Sequence, residues 1–295
     1  MISIAMATYN GAKYIREQID SILSQTIQDF ELVICDDCSS DGTLTILQEY
    51  SNKDERLKLF QNHTNLGFKK NFEKAMGLCR GDYIALCDQD DIWYPNHLEI
   101  LLKSFSDQYQ IVCGDALLID SSGNMLGESL SHLLGMDKCP ENNIDIARHI
   151  LLGKGSFQGA AMLIRRSLLK YALPIADNCK YHDVWLSSFA CFCGGFKYID
   201  NPLLYHRRHE REVTKDMKRQ SAFRIFAGAV IFNHSLLDRE TLASTILDRI
   251  KSLSIDETLF LRKVIKMHSR RKSIFGRLRN IPYLLFHYKS IYTIR

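Results

Sequence analysis

Tyr83-Ile84-Ala85-Leu86-Cys87-Asp88-Gln89-Asp90-Asp91 sets an unbroken apolar run directly against three carboxylates. A short run that is apolar at every position, without alternation, suits a strand covered on both faces. The strand must end where the aspartates begin, because unpaired carboxylates cannot follow it into a core. The same pattern recurs toward the N-terminus. Ile2-Ser3-Ile4-Ala5-Met6-Ala7 is a buried strand that runs into Thr8-Tyr9-Asn10-Gly11. Phe30-Glu31-Leu32-Val33-Ile34-Cys35 runs into Asp36-Asp37-Cys38-Ser39-Ser40-Asp41-Gly42, and Leu57 to Phe60 is a short third strand.

The segments between these strands have helical spacing. Ile15, Ile19, Ile22 and Leu23 share one face; Leu44, Leu47 and Tyr50 share another, with Asp41 ahead of them as a cap. Phe72, Ala75, Met76 and Cys79 mark a third helix, and Leu98, Leu101, Leu102 and Phe105 a fourth. Strand and helix in alternation predict an α/β fold with a mostly parallel sheet and helices on both faces.

The second half is less regular. Ile111 to Ile119 and Ala160 to Ile164 read as strands, with a turn at Ser122-Gly123-Asn124. His182 to Cys193 reads as a helix with Trp185, Leu186 and Phe189 inward. Lys197-Tyr198-Ile199 and Leu203-Leu204-Tyr205 bracket a turn at Asn201-Pro202. From about residue 216 the pattern is purely helical. The expected organisation is a catalytic domain over 1–215, split near residue 120 into nucleotide and acceptor halves, and a helical extension over 216–295.

Composition narrows the class. The 295 residues are 46% hydrophobic and 24% charged, ordinary for a globular chain with a full core. Nine scattered cysteines fit free thiols in a reducing cytoplasm; Cys35 and Cys38 lack the second pair that a zinc site needs. No apolar run approaches the length of a membrane span, and no leader precedes the first strand, so a cytoplasmic body is expected. The net charge of +4 conceals an asymmetry: residues 1–215 hold 22 Lys/Arg against 28 Asp/Glu, and residues 216–295 hold 16 against 6. An acidic body suits cation-assisted chemistry, and a basic tail suits an anionic surface.

In parallel sheets ligands bind at the carboxyl ends of the strands. Asp36, Asp37, Asp88, Asp90 and Asp91 stand at two such ends and would repel one another without a cation or hydrogen-bond donors. Asp88-Gln89-Asp90 suits Mg2+ or Mn2+, which takes few protein oxygens and completes its shell with water and phosphate. Such an ion would offset charge on a departing diphosphate. Alone, the same residues would cap a helix or make a polar turn. Gly153-Lys154-Gly155-Ser156-Phe157-Gln158-Gly159 has neither usual phosphate-loop spacing.

These clusters, in this order, resemble the family 2 glycosyltransferases of GT-A fold, over roughly residues 1 to 210. Asp88-Gln89-Asp90-Asp91-Ile92-Trp93-Tyr94-Pro95 is close to the form in the rhamnosyltransferase-like branch. Asn65-Leu66-Gly67, Asn71 and Gly81-Asp82-Tyr83 resemble the stretch before the metal motif. The resemblance implies that Thr8, Tyr9 and Asn10 contact the nucleotide, and that Asp36 and Asp37 meet base and ribose. It implies Asp90 as direct metal ligand, Asp88 near the ribose or the metal, and Asp183 of His182-Asp183-Val184-Trp185 as general base. Without it, Asp183 is a favourable helix start. Tyr205-His206-Arg207-Arg208-His209 resembles a closing segment in which Arg207 meets phosphate and His209 the metal; the usual following Asn is Glu210-Arg211-Glu212 here. Gly159 matches a small residue near the acceptor pocket.

The implied activity is inverting transfer from a UDP- or dTDP-sugar to a hydroxyl, in bacterial surface polysaccharide synthesis on a lipid-linked saccharide. Rival readings are a nucleotidyltransferase, for which Thr8 to Lys13 is a poor version of the required loop, and a scaffold that has kept the fold. Residues 262–295 hold ten Lys/Arg and no Asp or Glu, interleaved with Phe275, Phe286, Tyr288 and Tyr292. That pattern suits the cytoplasmic membrane interface, or a helix packed on the body with a solvated basic face. No nucleic-acid module is recognisable, so no nucleic-acid partner is expected.

Overall fold

A computed structural model describes residues 1–134, 139–152, 156–210 and 237–270. The chain runs β1 (Ile2–Thr8), α1 (Ile15–Leu23), β2 (Phe30–Asp36), α2 (Thr43–Ser51), β3 (Leu57–Gln61), α3 (Phe68–Leu78), β4 (Tyr83–Cys87), β5 (Ile92–Trp93) and α4 (His97–Lys103). It continues with β6 (Ile111–Ile119), β7 (Met125–Ser129), α5 (Leu130–Leu133), α6 (Asn143–Leu151), β8 (Met162–Arg165), α7 (Leu169–Ala172), α8 (His182–Cys193) and β9 (Phe196–Arg207). Two further helices follow, α9 (Leu237–Arg249) and α10 (Ile255–Arg270).

One sheet holds the strands in the order β3-β2-β1-β4-β8-β6-β9-β5, with β7 on the flank of β6. β3, β2, β1 and β4 are parallel; the apolar runs of β1, β2 and β4 suit a position covered on both faces, while β3, with Lys58 and Gln61 exposed, lies at the edge. β8 is antiparallel to both β4 and β6, so the second half of the sheet is mixed. The register aligns the strand ends. Thr8 stands opposite Asp36, and Cys87 opposite Met6, so the polar clusters that follow β1, β2 and β4 form one row. Close approach makes this possible at the other end: a Cβ on Gly81 would lie 2.7 Å from the Ser3 backbone nitrogen.

β9 departs from the expected pair of strands around Asn201-Pro202. It is one strand, and it absorbs the extra residues as bulges against β6 between Cys113 and Ala116. Pro202 has no N–H to give a ladder and sits in that irregular stretch. Gly114 makes the fit possible, since a Cβ there would lie 2.5 Å from the Leu203 side chain. The short β5 then pairs with Leu204 and Tyr205, which brings the end of β9 onto the loop carrying Asp88 to Asp91.

α8 matches its expected span, with Trp185, Leu186 and Phe189 fully buried. Trp185 Nε1 donates to Ala172 O at 2.6 Å, which ties α8 to α7. α9 and α10 pack on this body. Arg249 donates to Tyr171 O and Pro174 O, Asn178 Nδ2 donates to Thr241 Oγ1, and Leu261 and Val264 are buried. The expected domain boundary at 215/216 and the tail beyond residue 270 lie outside the described residues.

Candidate active site

The row of strand ends, the start of α8 and the end of β9 enclose one cavity of about 1550 Å³. Thr8, Tyr9, Asn10, Asp37, Asp88, Asp90, Asp183, Arg207 and His209 all line it, and Asp36 does not.

Asp36 is 0% exposed and its carboxylate is fully occupied. It accepts from Thr8 Oγ1 at 3.1 Å, Ser39 Oγ at 2.6 Å and Ser39 N at 3.0 Å. The expected contact of Asp36 with base or ribose therefore has no geometric support; the residue ties β1 to the turn after β2. Asp37 does line the cavity, held by Asn62 Nδ2 at 2.7 Å, Leu66 N at 2.8 Å and Gly67 N at 2.8 Å. The Asn65-Leu66-Gly67 motif thus supplies backbone donors to a carboxylate distant in sequence.

Tyr9 and Asn10 form a rigid turn. Asn10 has φ 50°, a left-handed conformation that asparagine tolerates, and its Oδ1 accepts from Ser40 N at 2.8 Å. Gln89 Oε1 accepts from Tyr9 N at 2.8 Å, and Gln89 Nε2 donates to Tyr9 O at 3.1 Å. The middle residue of the acidic motif is therefore a two-point clamp on the β1 turn. Gly11 permits it, since a Cβ there would lie 2.3 Å from Gln89 Oε1. The Tyr9 ring is 49% exposed at the cavity mouth.

At the centre, burial and then the charges of Asp91 and Asp90 push the Asp88 carboxyl well above its usual range. Asp90 Oδ2 lies 2.8 Å from His209 Nε2. Among the described residues no three His, Cys, Asp or Glu side chains form a ready cage for a metal ion. One hard carboxylate oxygen and one borderline imidazole nitrogen beside an electrostatically unfavourable carboxyl still fit a divalent ion such as Mn2+ or Mg2+, which draws its remaining ligands from phosphate and water.

Asp91 is 0% exposed and does not line the cavity. Its Oδ1 lies 2.9 Å from His206 Nδ1 and accepts from Arg207 N at 3.2 Å. Burial alone would lower the basicity of His206; Asp91, with Asp88 and Asp90, outweighs this and pushes it up to about 9. Arg207 is likewise buried. Its Nε donates to Asp90 O at 3.0 Å, Nη1 to Asp120 O at 3.5 Å and Nη2 to Glu17 Oε2 at 2.5 Å, and its plane lies over Tyr14.

Residues 3–172 match the family model described as Glycosyl transferase family 2. The chain belongs to glycosyl transferase family 2. This family member is 25% identical over 298 residues to a Bacillus subtilis protein described as a glycosyltransferase, EpsH, covering 95% of this chain and 81% of EpsH. It is 38% identical over 125 residues to EpsE of the same organism, covering 41% of this chain and 45% of EpsE. The matched region is thus under half the length of EpsE. The fold is of the GT-A type. It superposes on S. aureus TarS 1-349 in complex with UDP-GlcNAc at a TM-score of 0.64 and 20% identity, over 98% of this chain and 77% of that one. A Pyrobaculum calidifontis mannosyltransferase in complex with GDP-Man and Mn2+ gives a TM-score of 0.54 at 15% identity, over 96% and 87%.

In this glycosyl transferase family 2 chain, Asp183 opens α8 on the cavity wall. Burial raises its carboxyl to about 6, against the pull of the Val184 N–H and the charge of Arg239. His182 stacks on Phe72 with ring centroids 4.2 Å apart, and burial lowers it to about 4. Gly159 is small because His182 is beside it: a Cβ would lie 2.8 Å from the imidazole Nε2. Sequence reasoning assigned no role to Gln89, His206 or Asn62, and read Asp91 only as one of the clustered carboxylates. Position inside the quoted motifs was the only available signal for Gln89 and His206.

Proposed function

We propose that the chain is an inverting transferase that moves a sugar from a UDP- or dTDP-sugar to an acceptor hydroxyl with help from Mg2+ or Mn2+. The observation that carries this is Asp183, a buried carboxyl raised to about 6, sharing one cavity with the Asp90–His209 pair. At neutral pH such a group is mostly ionised yet basic enough to take a proton from an attacking hydroxyl. One in-line displacement with the hydroxyl held by Asp183 inverts the anomeric centre. Thr8, Tyr9, Asn10 and Asp37 would receive the nucleoside. Asp90 and His209, with Asp88 beside them, would hold the ion, which supplies positive charge to the departing diphosphate.

Likeness to a Bacillus subtilis protein described as a teichuronic acid biosynthesis glycosyltransferase, TuaG, 37% identical over 103 residues, supports a role in bacterial surface polysaccharide synthesis. A lipid-linked saccharide acceptor would bring the enzyme to the cytoplasmic face of the membrane. No helix among the described residues is long and apolar enough to cross a bilayer. The outer stripe of α10 supports peripheral attachment: Ile255 is 80% exposed, and Leu259, Arg262, Lys263 and Lys266 are exposed with it. A donor-hydrolysis panel across nucleotide-sugars, with Mg2+ and with Mn2+, tests the reading. Slow release of nucleoside diphosphate is expected. Pyrophosphate release from a triphosphate would point to a nucleotidyltransferase, and no turnover of any donor would leave a scaffold.

A further inference from the structure

Pro174 to Lys180, the stretch that leads into α8, has no regular structure beyond one turn, in which Cys179 N donates to Ala176 O at 3.0 Å. Helix α8 has no side-chain cap at Tyr181. Its first turn, which carries Asp183, therefore takes its direction from whatever fixes that stretch.

Helix α3 fixes the inner side. Lys69 Nζ donates to Ala176 O at 3.0 Å, to Asp177 O at 2.7 Å and to Cys179 O at 2.9 Å. An ammonium carries three protons, and each meets one carbonyl. Three carbonyl oxygens converging on one point repel one another, and a cation among them turns that repulsion into attraction. With all three protons committed, Lys69 has none to give a phosphate. Beside it on the same helix, Glu73 Oε2 accepts from Ile175 N at 2.8 Å, and Lys70 Nζ donates to Ile175 O at 3.2 Å. From the outer side α9 holds Pro174 O and Asn178, so loss of Lys69 loosens the stretch without releasing it.

The same helix reaches both ends of the cavity. Just ahead of it, Leu66 N and Gly67 N each hold Asp37 at 2.8 Å. One turn into it, Phe72 stacks on His182, the neighbour of Asp183. We propose that Lys69 is a positioning residue for the base: by gathering the carbonyls of Ala176, Asp177 and Cys179 it sets the first turn of α8, and with it Asp183, against the nucleotide end that α3 also holds. This rests on the reading of Asp183 as general base.

A double-mutant cycle on the full chain tests it. The rate is hydrolysis of the nucleotide-sugar that the donor panel identifies, with water in place of the acceptor hydroxyl, and UDP affinity in Mn2+ is read by calorimetry. Lys69→Met keeps the length of the stem and removes the cation. It should lower kcat by about ten- to a hundredfold, the cost of a misplaced reacting group, and leave UDP affinity within about twofold. Lys69→Arg keeps the charge, but its planar fork does not suit three oxygens converging on one point, so it should also lower kcat. In an Asp183→Asn background Lys69→Met should cost nothing further, because both changes act on the same group. Should Lys69→Met fail to fold, Lys69→Gln, with two protons for the three carbonyls, carries the same comparisons.

Unchanged kcat in the folded variant overturns the proposal. So does a loss of UDP affinity equal to the loss of kcat, the sign of general distortion. So does a full further loss on top of Asp183→Asn, the sign of action elsewhere, or a wild-type rate in Lys69→Arg, the sign that charge alone suffices. A strong Asp183→Asn effect with a silent Lys69→Met removes only Lys69. An Asp183→Asn chain as active as wild type removes the base reading as well.

Discussion

The two ends of the cavity treat their carboxylates differently. At the strand ends of β1 and β2, Asp36 and Asp37 each accept three protein hydrogen bonds within 3.1 Å. At the start of α8, Asp183 is buried with the neighbouring Val184 N–H as its short bond, and its carboxyl is raised to about 6. A carboxylate offers about four acceptor sites, so three bonds fix its shape and spread its charge over the backbone, while Asp37, which lines the cavity, keeps capacity for one more. Where burial outweighs the backbone N–H groups around it, as at Asp183, a carboxylate stays basic and can exchange a proton. On the proposed function, this difference would separate a preformed nucleotide end from a chemically poised acceptor end.

The largest expected effect breaks the acceptor end alone. Asp183→Asn should lower transfer by about two to four orders of magnitude in steady-state kinetics, the usual worth of a general base, with donor affinity kept. The wild-type rate should rise as pH passes through about 6, where Asp183 becomes ionised. The stability sign runs opposite to activity. A folded carboxyl at about 6, above the ordinary 3.8, contributes stability at low pH that is lost as pH rises through about 6. Asp183→Asn should therefore raise the melting temperature at neutral pH, and an unchanged or lower value would contradict that account.

At the metal end, Asp90→Ala should bind nucleoside diphosphate equally well with and without Mn2+. Persistent Mn2+ enhancement in calorimetry would take Asp90 out of the ligand set. Asp36→Ala sharpens the contrast from the structural side. It leaves the Thr8 and Ser39 donors unmet in a buried site, at about 1–3 kcal/mol by urea denaturation, with a smaller change in donor KM than Asp37→Asn gives. The smallest effect concerns the Gln89 clamp. Gly11→Ala and Gln89→Ala should each raise donor KM severalfold, and the double variant should be less than additive because both release the same turn. Full additivity would mean that Gly11 serves some other contact.

The first half of the fold was legible because β1, β2 and β4 are buried on both faces. Apolar runs of five to seven residues and helical spacing between them leave few alternatives to a parallel sheet. β9 was not legible, since Pro202 is a turn signal that only the bulge opposite Gly114 overrides. β7, with four of its five residues exposed, carries no core pattern to read. The site was legible as clusters of residue types at strand ends. What each member does depends on tertiary partners: Ser39 for Asp36, Asn62 for Asp37, Tyr9 for Gln89. Arg207 and His206 show this most plainly, since no sequence pattern records that Glu17 and Asp120 occupy a guanidinium 87 to 190 residues away.

The most direct test of this division of labour is a single calorimetric comparison. UDP is titrated in Mn2+ into wild type, Asp90→Ala and Asp183→Asn. Wild type and Asp183→Asn should bind alike, while Asp90→Ala falls to the affinity that wild type has in a chelator. Asp183→Asn losing UDP to the same degree as Asp90→Ala would contradict the separation of a donor end from a base.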